Sequence, residues 1–245
     1  MPEPSSPELT AYFLDHYSPE DETKKEKKEL PLEIEAKFII HSKDFKADNR
    51  QKTVMINYYY EKSDATQIAM IAGLELDRKI KPSVVRLRIE QTGQDRKCFI
   101  AIKNKKTEGT STRVELETEI SEQQMAQITM GHRPTSKLVK EKYTIPHDLK
   151  IDDNQTLPIK LEITRITEAG AKPVTEEELP VWFVEVETTN ENDLAQVRKH
   201  VYGIDLMKDA VDVSSEKEFG MKNLSKTGVD DKVKRKISDL LPLTK

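Results

Sequence analysis

Acidic and basic side chains alternate with apolar ones in several short segments of this 245-residue sequence. Glu33, Glu35 and Lys37 stand two residues apart in EIEAK, and Glu185 and Glu187 stand two apart in VEVE. Residues at that spacing project from the same side of a β-strand. Because Mg²⁺ and Mn²⁺ prefer hard oxygen ligands, each pair of carboxylates is a candidate metal site.

Basic side chains have the same spacing in other segments, namely RLR at 86–88, KNK at 103–105 and KEK at 140–142. Arg binds phosphate oxygens as a bidentate fork, and Lys binds them as a point charge. A further segment, RVELE at 113–117, carries both signs of charge. Together these residue types favour a site for a metal-bound polyphosphate.

A solvated, charged outer face on an ordinary sheet is the simpler interpretation for any one of these segments. It is less satisfactory for the whole set, because solvent-facing strands usually mix in Thr, Ser and Gln. Like charges two residues apart also repel unless opposite charges from other strands converge on them. A closed barrel with a charged lumen achieves that convergence, and the cost of burying charge implies a charged ligand inside it.

Period-two alternation predicts strands, and amphipathic spacing predicts helices. The predicted strands are 33–40, 53–61, 84–90, 98–105, 113–120, 141–145, 159–166 and 182–188. The predicted helices are 63–76, 121–130 and 190–202, with Ser121 as a cap and Gly203 as a stop. Short strands separated by polar turns predict an antiparallel sheet or barrel. The last part of the chain can form a short amphipathic helix.

Composition excludes several kinds of site and partner. The formal net charge of −4 gives no reason to expect general nucleic-acid binding. The only cysteine, Cys98, excludes an intrachain disulfide and a cysteine zinc cluster, and its spacing predicts a core position. The glycines form neither a phosphate loop nor a dinucleotide turn. Since we find no apolar run of the ~18 residues a membrane span needs and no secretory signal, we expect a cytoplasmic protein with no membrane partner.

The order of the motifs resembles that of the CYTH superfamily, also called the triphosphate tunnel metalloenzymes. The matching segments are EIEAK at 33–37, YYYE at 58–61, RLR at 86–88, IKNK at 102–105, RVELE at 113–117, KEK at 140–142, LEI at 161–163, VEVE at 184–187 and DVSSEKEFGMKNLS at 212–225. The resemblance implies an α+β fold in which an eight-stranded antiparallel β-barrel encloses a triphosphate tunnel, with helices packed outside. It also implies a charged N-terminal extension at 1–30, a tunnel domain at 31–225 and a charged C-terminal tail at 226–245.

The resemblance assigns roles by position. The implied metal ligands, for Mg²⁺ or Mn²⁺, are Glu33, Glu35, Glu115, Glu117, Glu162, Glu185 and Glu187. The implied substrate-binding residues are Lys37, Arg86, Arg88, Lys103, Lys105, Arg113, Lys140, Lys142 and Lys217. The implied catalytic residues are Lys37, Arg88 and Glu117. Lys142 stands where family members usually have Arg, and Glu162 stands where many members have Asp. The alignment at Lys217 can shift by one position to Glu218.

The leading hypothesis is metal-dependent hydrolysis of inorganic triphosphate or of a nucleoside or thiamine triphosphate. Within the family, the alternatives are a class IV adenylyl cyclase, which makes cyclic AMP and pyrophosphate from ATP, and an RNA 5′-triphosphatase. A non-catalytic module that binds polyphosphate or a nucleotide is the alternative from another class. The expected partner is a small molecule that contains a triphosphate, and the chain is expected to act as a monomer or homodimer.

Overall fold

A computed structural model of the chain describes residues 32–48, 50–77, 80–105 and 112–241. Within these residues, ten antiparallel strands form one sheet, and eight of them close into a barrel. The strands are β1 (Leu32–His41), β2 (Thr53–Tyr60), β3 (Pro82–Thr92), β4 (Asp95–Asn104), β5 (Thr112–Ile120), β6 (Ser136–Lys150), β7 (Thr156–Ala169), β8 (Lys172–Pro173), β9 (Val181–Thr188) and β10 (Val211–Asp212). Around the barrel the order is β1, β5, β4, β3, β2, β6, β7 and β9, and β9 pairs with β1 to close it.

The alternation of residue types builds the two faces of the barrel wall. On β1, Ile34 and Phe38 are buried on the outer face, where helices cover them. Glu33 and Glu35, of the opposite parity, face the lumen, where Glu33 contacts Lys103 on the non-adjacent strand β4. Only β5 separates these two strands, so the two side chains meet over it on the concave inner side of the wall. The predicted α+β fold, an eight-stranded antiparallel barrel with helices packed outside, is therefore confirmed.

Three helices lie where amphipathic spacing predicts them: α1 (Ala65–Ala72), α2 (Glu122–Gly131) and α3 (Glu191–His200). Ser121 caps α2 in a capping box with Gln124, which satisfies backbone N–H groups at the helix start. Gly73 ends α1 with a φ of 71°, a left-handed conformation that glycine adopts without steric cost. The apolar side of α3 packs on the outer face of β1 and β9, so the barrel wall is held from outside.

The lumen is closed at one end by apolar side chains, which we call the floor: Ile39, Tyr59, Leu138, Ile166 and Phe183. These interior-facing residues form one buried cluster with the helices α4 (Met221–Thr227) and α5 (Asp231–Leu240). The rings of Phe183 and Phe219 lie 6.1 Å apart, which places the C-terminal segment across this end. The opposite end, where β1 begins and β9 ends, is the mouth.

The C-terminal tail contains the amphipathic helix that its sequence predicts. Asp230 caps α5 by accepting a hydrogen bond from the Val233 N–H, and Val233 and Ile237 are buried in the floor cluster. Its polar side forms two ion pairs, Lys232 with Glu218 at 2.6 Å and Lys236 with Glu216 at 3.0 Å. The boundaries of the tunnel domain and tail stay predictions, and the N-terminal extension at 1–30 lies outside the described residues.

Strand β6 is longer than the predicted segment 141–145. The predicted segment ends at Ile145 because proline, the next residue, usually interrupts a strand. Proline lacks a backbone N–H and is tolerated mainly at sheet edges. Beyond Lys142 the strand pairs with β7 alone, so its other edge needs no donor and the proline fits. Among the described residues, no helix combines the length and apolar character needed to cross a membrane.

The C-terminal helix is expected to contribute to the stability of the barrel. Ile237 is 4% exposed within the floor cluster, so Ile237→Ala should lower the free energy of unfolding by about 2–4 kcal/mol. Met130→Ala on α2 is the matched control, because Met130 is 81% exposed and should change that free energy by less than about 0.5 kcal/mol. Equal effects of the two variants in urea unfolding would contradict the role given to α5.

Candidate metal and phosphate site

Three carboxylates converge in the lumen near the mouth. Glu35 and Glu187 are directly paired between β1 and β9, and Glu33 lies on the same side of β1. One oxygen from each of these three side chains lies within 4.8 Å of the others. Oxygen ligands of Mg²⁺ or Mn²⁺ at that spacing need only small side-chain movements to coordinate one ion. The donor set therefore fits a divalent cation.

The electrostatics of this cluster are uneven. Although burial opposes ionisation, Arg113 and Lys103 hold the pKa of Glu33 well below its usual range. Desolvation, followed by repulsion from Glu162 and Glu33, raises the pKa of Glu187 to about 7. Within the described residues, Glu187 forms no ion pair. A bound cation would supply compensating positive charge, which supports the fit of a metal here.

A cavity of about 180 Å³ opens beside this cluster. Its lining residues are Leu32, Glu33, Ile34, Glu115, Glu187 and Thr188. Two of the three clustered carboxylates therefore border open space at the mouth. The cavity offers room for an ion or a small ligand beside the cluster.

Cations from β4 and β5 compensate the inner carboxylates. The Lys103 ammonium contacts Glu33 at 2.9 Å and Glu115 at 2.8 Å, and Lys103 is 5% exposed. Arg113 donates to Glu33 and lies 3.6 Å from Glu35. These residues come from three neighbouring strands of the barrel wall. They form a network in which any incoming anion must compete with a carboxylate for each cation.

A second group of charges lies on β3 and β5. The Arg86 guanidinium contacts Glu117 at 3.2 Å and Glu115 at 3.5 Å. Arg88 donates to Glu117 at 2.7 Å, and its guanidinium stacks over the Phe99 ring at 4.8 Å. Glu117 thus holds both guanidinium groups in the lumen.

Lys37 and Lys140 share one carboxylate at a deeper level. Lys37 contacts Glu185 at 2.7 Å, and Lys140 approaches the same carboxylate at 3.7 Å. Although burial opposes the charged form, the carboxylates of Glu185 and Glu35 raise the pKa of Lys37 to about 12. Burial lowers the pKa of Lys140, and the charges of Arg86 and Lys37 add to that effect despite Glu185. This side of the lumen therefore has an excess of positive charge.

Backbone contacts fix the position of Lys37. The Ser214 hydroxyl accepts a hydrogen bond from the Lys37 N–H at 2.9 Å, and the Val213 N–H donates to the Lys37 carbonyl at 2.8 Å. The segment before the C-terminal helices thus holds β1 where β10 pairs with it. Ser214 lies in the late motif at 212–225, but its type alone did not distinguish it as a positioning residue.

Three predicted substrate-binding residues lie away from the deep part of the lumen. Lys142 is nearer the mouth, where it contacts Glu162 at 3.2 Å. Lys105 follows the end of β4 and is exposed. Lys217 is exposed and begins the 3₁₀ turn before α4, at the closed end of the barrel. Within the described residues, neither Lys105 nor Lys217 pairs with a lumen carboxylate, so the structure does not bring these two lysines to the cluster.

Two polar residues that the motifs did not indicate also face the lumen. Asn57 on β2 is 1% exposed and Thr164 on β7 is fully buried. In the described part of the chain, neither the Asn57 amide nor the Thr164 hydroxyl has a hydrogen-bond partner. The sequence offered one indication: Asn57 is two residues from Tyr59, and Thr164 is two residues from Glu162, so each shares a strand face with that residue. A single neutral residue gives too little contrast to be recognised as part of a site.

No protein-family model and no curated protein matches the chain. Weak similarity to solved structures includes the PH1819 protein of Pyrococcus horikoshii, at 16% identity and a TM-score of 0.42, over 71% of this chain and 88% of that one. A proposed adenylyl cyclase of Hippeastrum, described as having a dominant triphosphatase activity, is 14% identical with a TM-score of 0.44, over 71% and 87%. At these values the similarities assign neither a family nor an activity to this chain.

The carboxylates around Glu187 predict how the melting temperature changes when Glu187 is replaced by Gln. With a folded-state pKa near 7, above the value of about 4.3 for an unfolded Glu, ionised Glu187 destabilises the metal-free protein at pH 8, and this cost disappears as the pH falls towards 5. Glu187→Gln should therefore raise the melting temperature in EDTA at pH 8, with a smaller gain at pH 5.

Glu185→Gln is the matched control on the same strand and face. It removes the partner of buried Lys37, so it should lower the melting temperature at pH 8. A lower melting temperature for both variants at that pH would contradict the account of Glu187. Added Mg²⁺ should stabilise the wild type more than Glu187→Gln.

Proposed function

We propose that this chain is a triphosphate tunnel protein of the CYTH type that binds a triphosphate with a divalent cation and hydrolyses it. The observation that carries the proposal is the convergence, in one lumen, of the cluster Glu33, Glu35 and Glu187 with the Lys and Arg side chains around it. A structural role alone explains this arrangement poorly. A barrel interior filled with apolar side chains would avoid the cost of desolvating so many charges.

The charges have the distribution that such a ligand needs. Carboxylates dominate near the mouth on β1 and β9, where Glu187 forms no ion pair with a described residue. Cations surround the deeper space, with Arg86 and Arg88 on one wall and Lys37 and Lys140 on another. A ligand with negative oxygens and an accompanying cation complements both regions. We therefore infer that the phosphate chain lies between these walls, with the metal at the carboxylate cluster.

Phosphoryl transfer requires from a protein mainly positioning and neutralisation of charge. A divalent cation held by Glu33, Glu35 and Glu187 would neutralise charge on phosphate oxygens when bound. Arg86 and Arg88 would exchange their contacts with Glu117 for phosphate oxygens, with the fork geometry that each guanidinium provides. Lys37 would donate from β1, and Lys103 would donate from β4, next to the strand that carries the two arginines. The Lys37 ammonium stays charged over the whole physiological pH range because its pKa is raised.

The substrate is proposed at the level of its chemical class. Inorganic triphosphate and nucleoside or thiamine triphosphates share the phosphate chain that the lumen complements. Cyclisation of ATP to cyclic AMP and binding without turnover are outcomes that the same assay distinguishes.

Loss of one clustered carboxylate should abolish turnover. Glu35→Gln should reduce the release of phosphate from inorganic triphosphate, with Mg²⁺ or Mn²⁺, by at least about 100-fold, because it removes a charged ligand from the cation site. Glu141→Gln is the matched control, since Glu141 forms ion pairs with Lys52 and Arg165 away from the lumen and should leave turnover unchanged. Full activity of Glu35→Gln would refute the assignment. Release of pyrophosphate with cyclic AMP from ATP would instead establish the cyclase.

Removal of a lumen guanidinium should weaken the transition-state contacts. Arg88→Ala is expected to lower kcat/KM for triphosphate by about 10²–10³-fold, the range found when one preorganised donor to a developing charge is lost. Arg165→Ala removes a guanidinium that pairs with Glu141 and stacks over Trp182, outside the lumen, and should change kcat/KM little. Similar losses in the two variants would show that Arg88 acts through folding rather than on the substrate.

A further inference from the structure

Asn57 and Thr164 are buried polar side chains with unused hydrogen-bonding capacity. Asn57 is 1% exposed, yet both its amide nitrogen and its amide oxygen lack a partner among the described residues. The hydroxyl of fully buried Thr164 lacks one as well. The great majority of buried polar atoms in proteins are hydrogen-bonded, since an unsatisfied group costs free energy. Three such atoms facing one lumen indicate that a polar ligand or water completes them.

The strand register places these two residues on either side of Lys140. Lys140 on β6 pairs directly with Met55 on β2 and with Ile166 on β7. Asn57 is two residues beyond Met55, and Thr164 is two residues before Ile166, so both are diagonal neighbours of Lys140 on the lumen side. Diagonal neighbours in a sheet lie about 7–8 Å apart, so Lys140 lies between Asn57 and Thr164 and within that distance of each.

Lys140 is itself incompletely paired. Its ammonium reaches Glu185 at 3.7 Å, whereas Lys37 contacts the same carboxylate at 2.7 Å. Lys140 is 5% exposed, so water cannot solvate this charge freely. The wall formed by β2, β6 and β7 therefore presents one loosely paired cation between two unpaired neutral groups. These groups would be satisfied by an anion that also accepts and donates hydrogen bonds.

The floor lies immediately beyond this wall. Tyr59, Leu138 and Ile166 follow Asn57, Lys140 and Thr164 at the next positions of the same parity on their strands, and all three floor residues are at most 2% exposed. The C-terminal helices cover the floor from the other side. Among the described residues, the packed side chains of the floor lie directly beyond Asn57 and Thr164, so we expect a ligand that enters from the mouth to reach them with a chain end.

We propose that Asn57, Lys140 and Thr164 form the innermost subsite of the lumen and bind the uncapped terminal phosphoryl group of the ligand. This inference rests on the proposed function and adds the direction in which the ligand is bound. The ammonium of Lys140 and the amide nitrogen of Asn57 donate to phosphoryl oxygens. The amide oxygen of Asn57 accepts from a protonated phosphoryl oxygen, and the Thr164 hydroxyl either donates or accepts.

A neutral acceptor in this place distinguishes terminal from internal phosphoryl groups. A terminal phosphoryl group loses its last proton near neutral pH and can offer a P–OH to the Asn57 oxygen. An internal phosphoryl group or one esterified on both sides has no such proton, and its substituent would meet the floor. The subsite therefore selects triphosphates with one free end, whether the other end is free or carries an organic group.

The test uses two nearly isosteric variants, Asn57→Leu and Thr164→Val, in the full-length chain. Both remove hydrogen-bonding atoms while keeping volume, so the ligand-free melting temperature should stay the same or rise, because an unsatisfied buried group is lost. The Kd for inorganic triphosphate with Mg²⁺ should rise about 10-fold in each variant. Met55→Leu on the same strand and face is the matched control and should bind as the wild type does. Variants that bind triphosphate as tightly as the wild type would overturn the proposal.

A competition experiment tests the direction of binding with the wild-type protein. ATP should displace inorganic triphosphate, whereas a dinucleoside triphosphate, capped at both ends, should require at least about 10-fold more ligand. Equal competition by the two compounds would overturn the terminal assignment. If the wild type does not bind inorganic triphosphate in the presence of Mg²⁺ or Mn²⁺, the proposed function fails together with this inference. Tight wild-type binding that the variants retain overturns the inference alone.

Discussion

Desolvation of charge is the constraint on which the rest of this structure depends. Glu33, Glu35, Lys103 and Lys140 are each less than 10% exposed, and an isolated charge at that burial would be unfavourable by several kcal/mol. The barrel satisfies the constraint by bringing opposite charges together from non-adjacent strands, as Lys103 does for Glu33 across the wall. Compensation is incomplete at two places in the lumen. Negative charge is in excess around Glu187 near the mouth, and positive charge is in excess around Lys140 near the floor. That polarity is what makes a cation with a polyphosphate a complementary ligand.

The same strands build both the core and the site, so the two cannot vary independently. On β1 the residues of one parity pack under α3, and those of the other parity supply the carboxylates. A shift of one residue in register would place Ile34 in the lumen and Glu35 against the helix. The outer helices and the floor therefore do more than stabilise the barrel. They fix the register that brings Glu35 opposite Glu187 and Lys37 opposite Glu185.

The sequence was sufficient for features that repeat with a period of two. EIEAK and VEVE each predicted a pair of carboxylates on one face of a strand, and the structure places Glu33, Glu35 and Glu187 together. The amphipathic pattern of the tail predicted a short helix but not that α5 would close the lumen, because its burial depends on a cluster with Phe183 and Leu138, far away in the chain. The sequence did not indicate Asn57 and Thr164, because their side chains are neutral. Only the structure reveals that these buried polar groups have no hydrogen-bond partner among the described residues. Lys105 was included because its parity matched Lys103, but β4 ends before it.

The most direct measurement of the central claim is a crystal structure of the protein with Mn²⁺ and inorganic triphosphate, with the metal located by its anomalous scattering. The account predicts a manganese peak bonded to oxygens of Glu33, Glu35 and Glu187. It also predicts phosphate density that extends from that peak past Arg86 and Arg88, with its terminal group against Asn57, Lys140 and Thr164. A lumen without manganese or phosphate density, at concentrations where both are bound in solution, would contradict it.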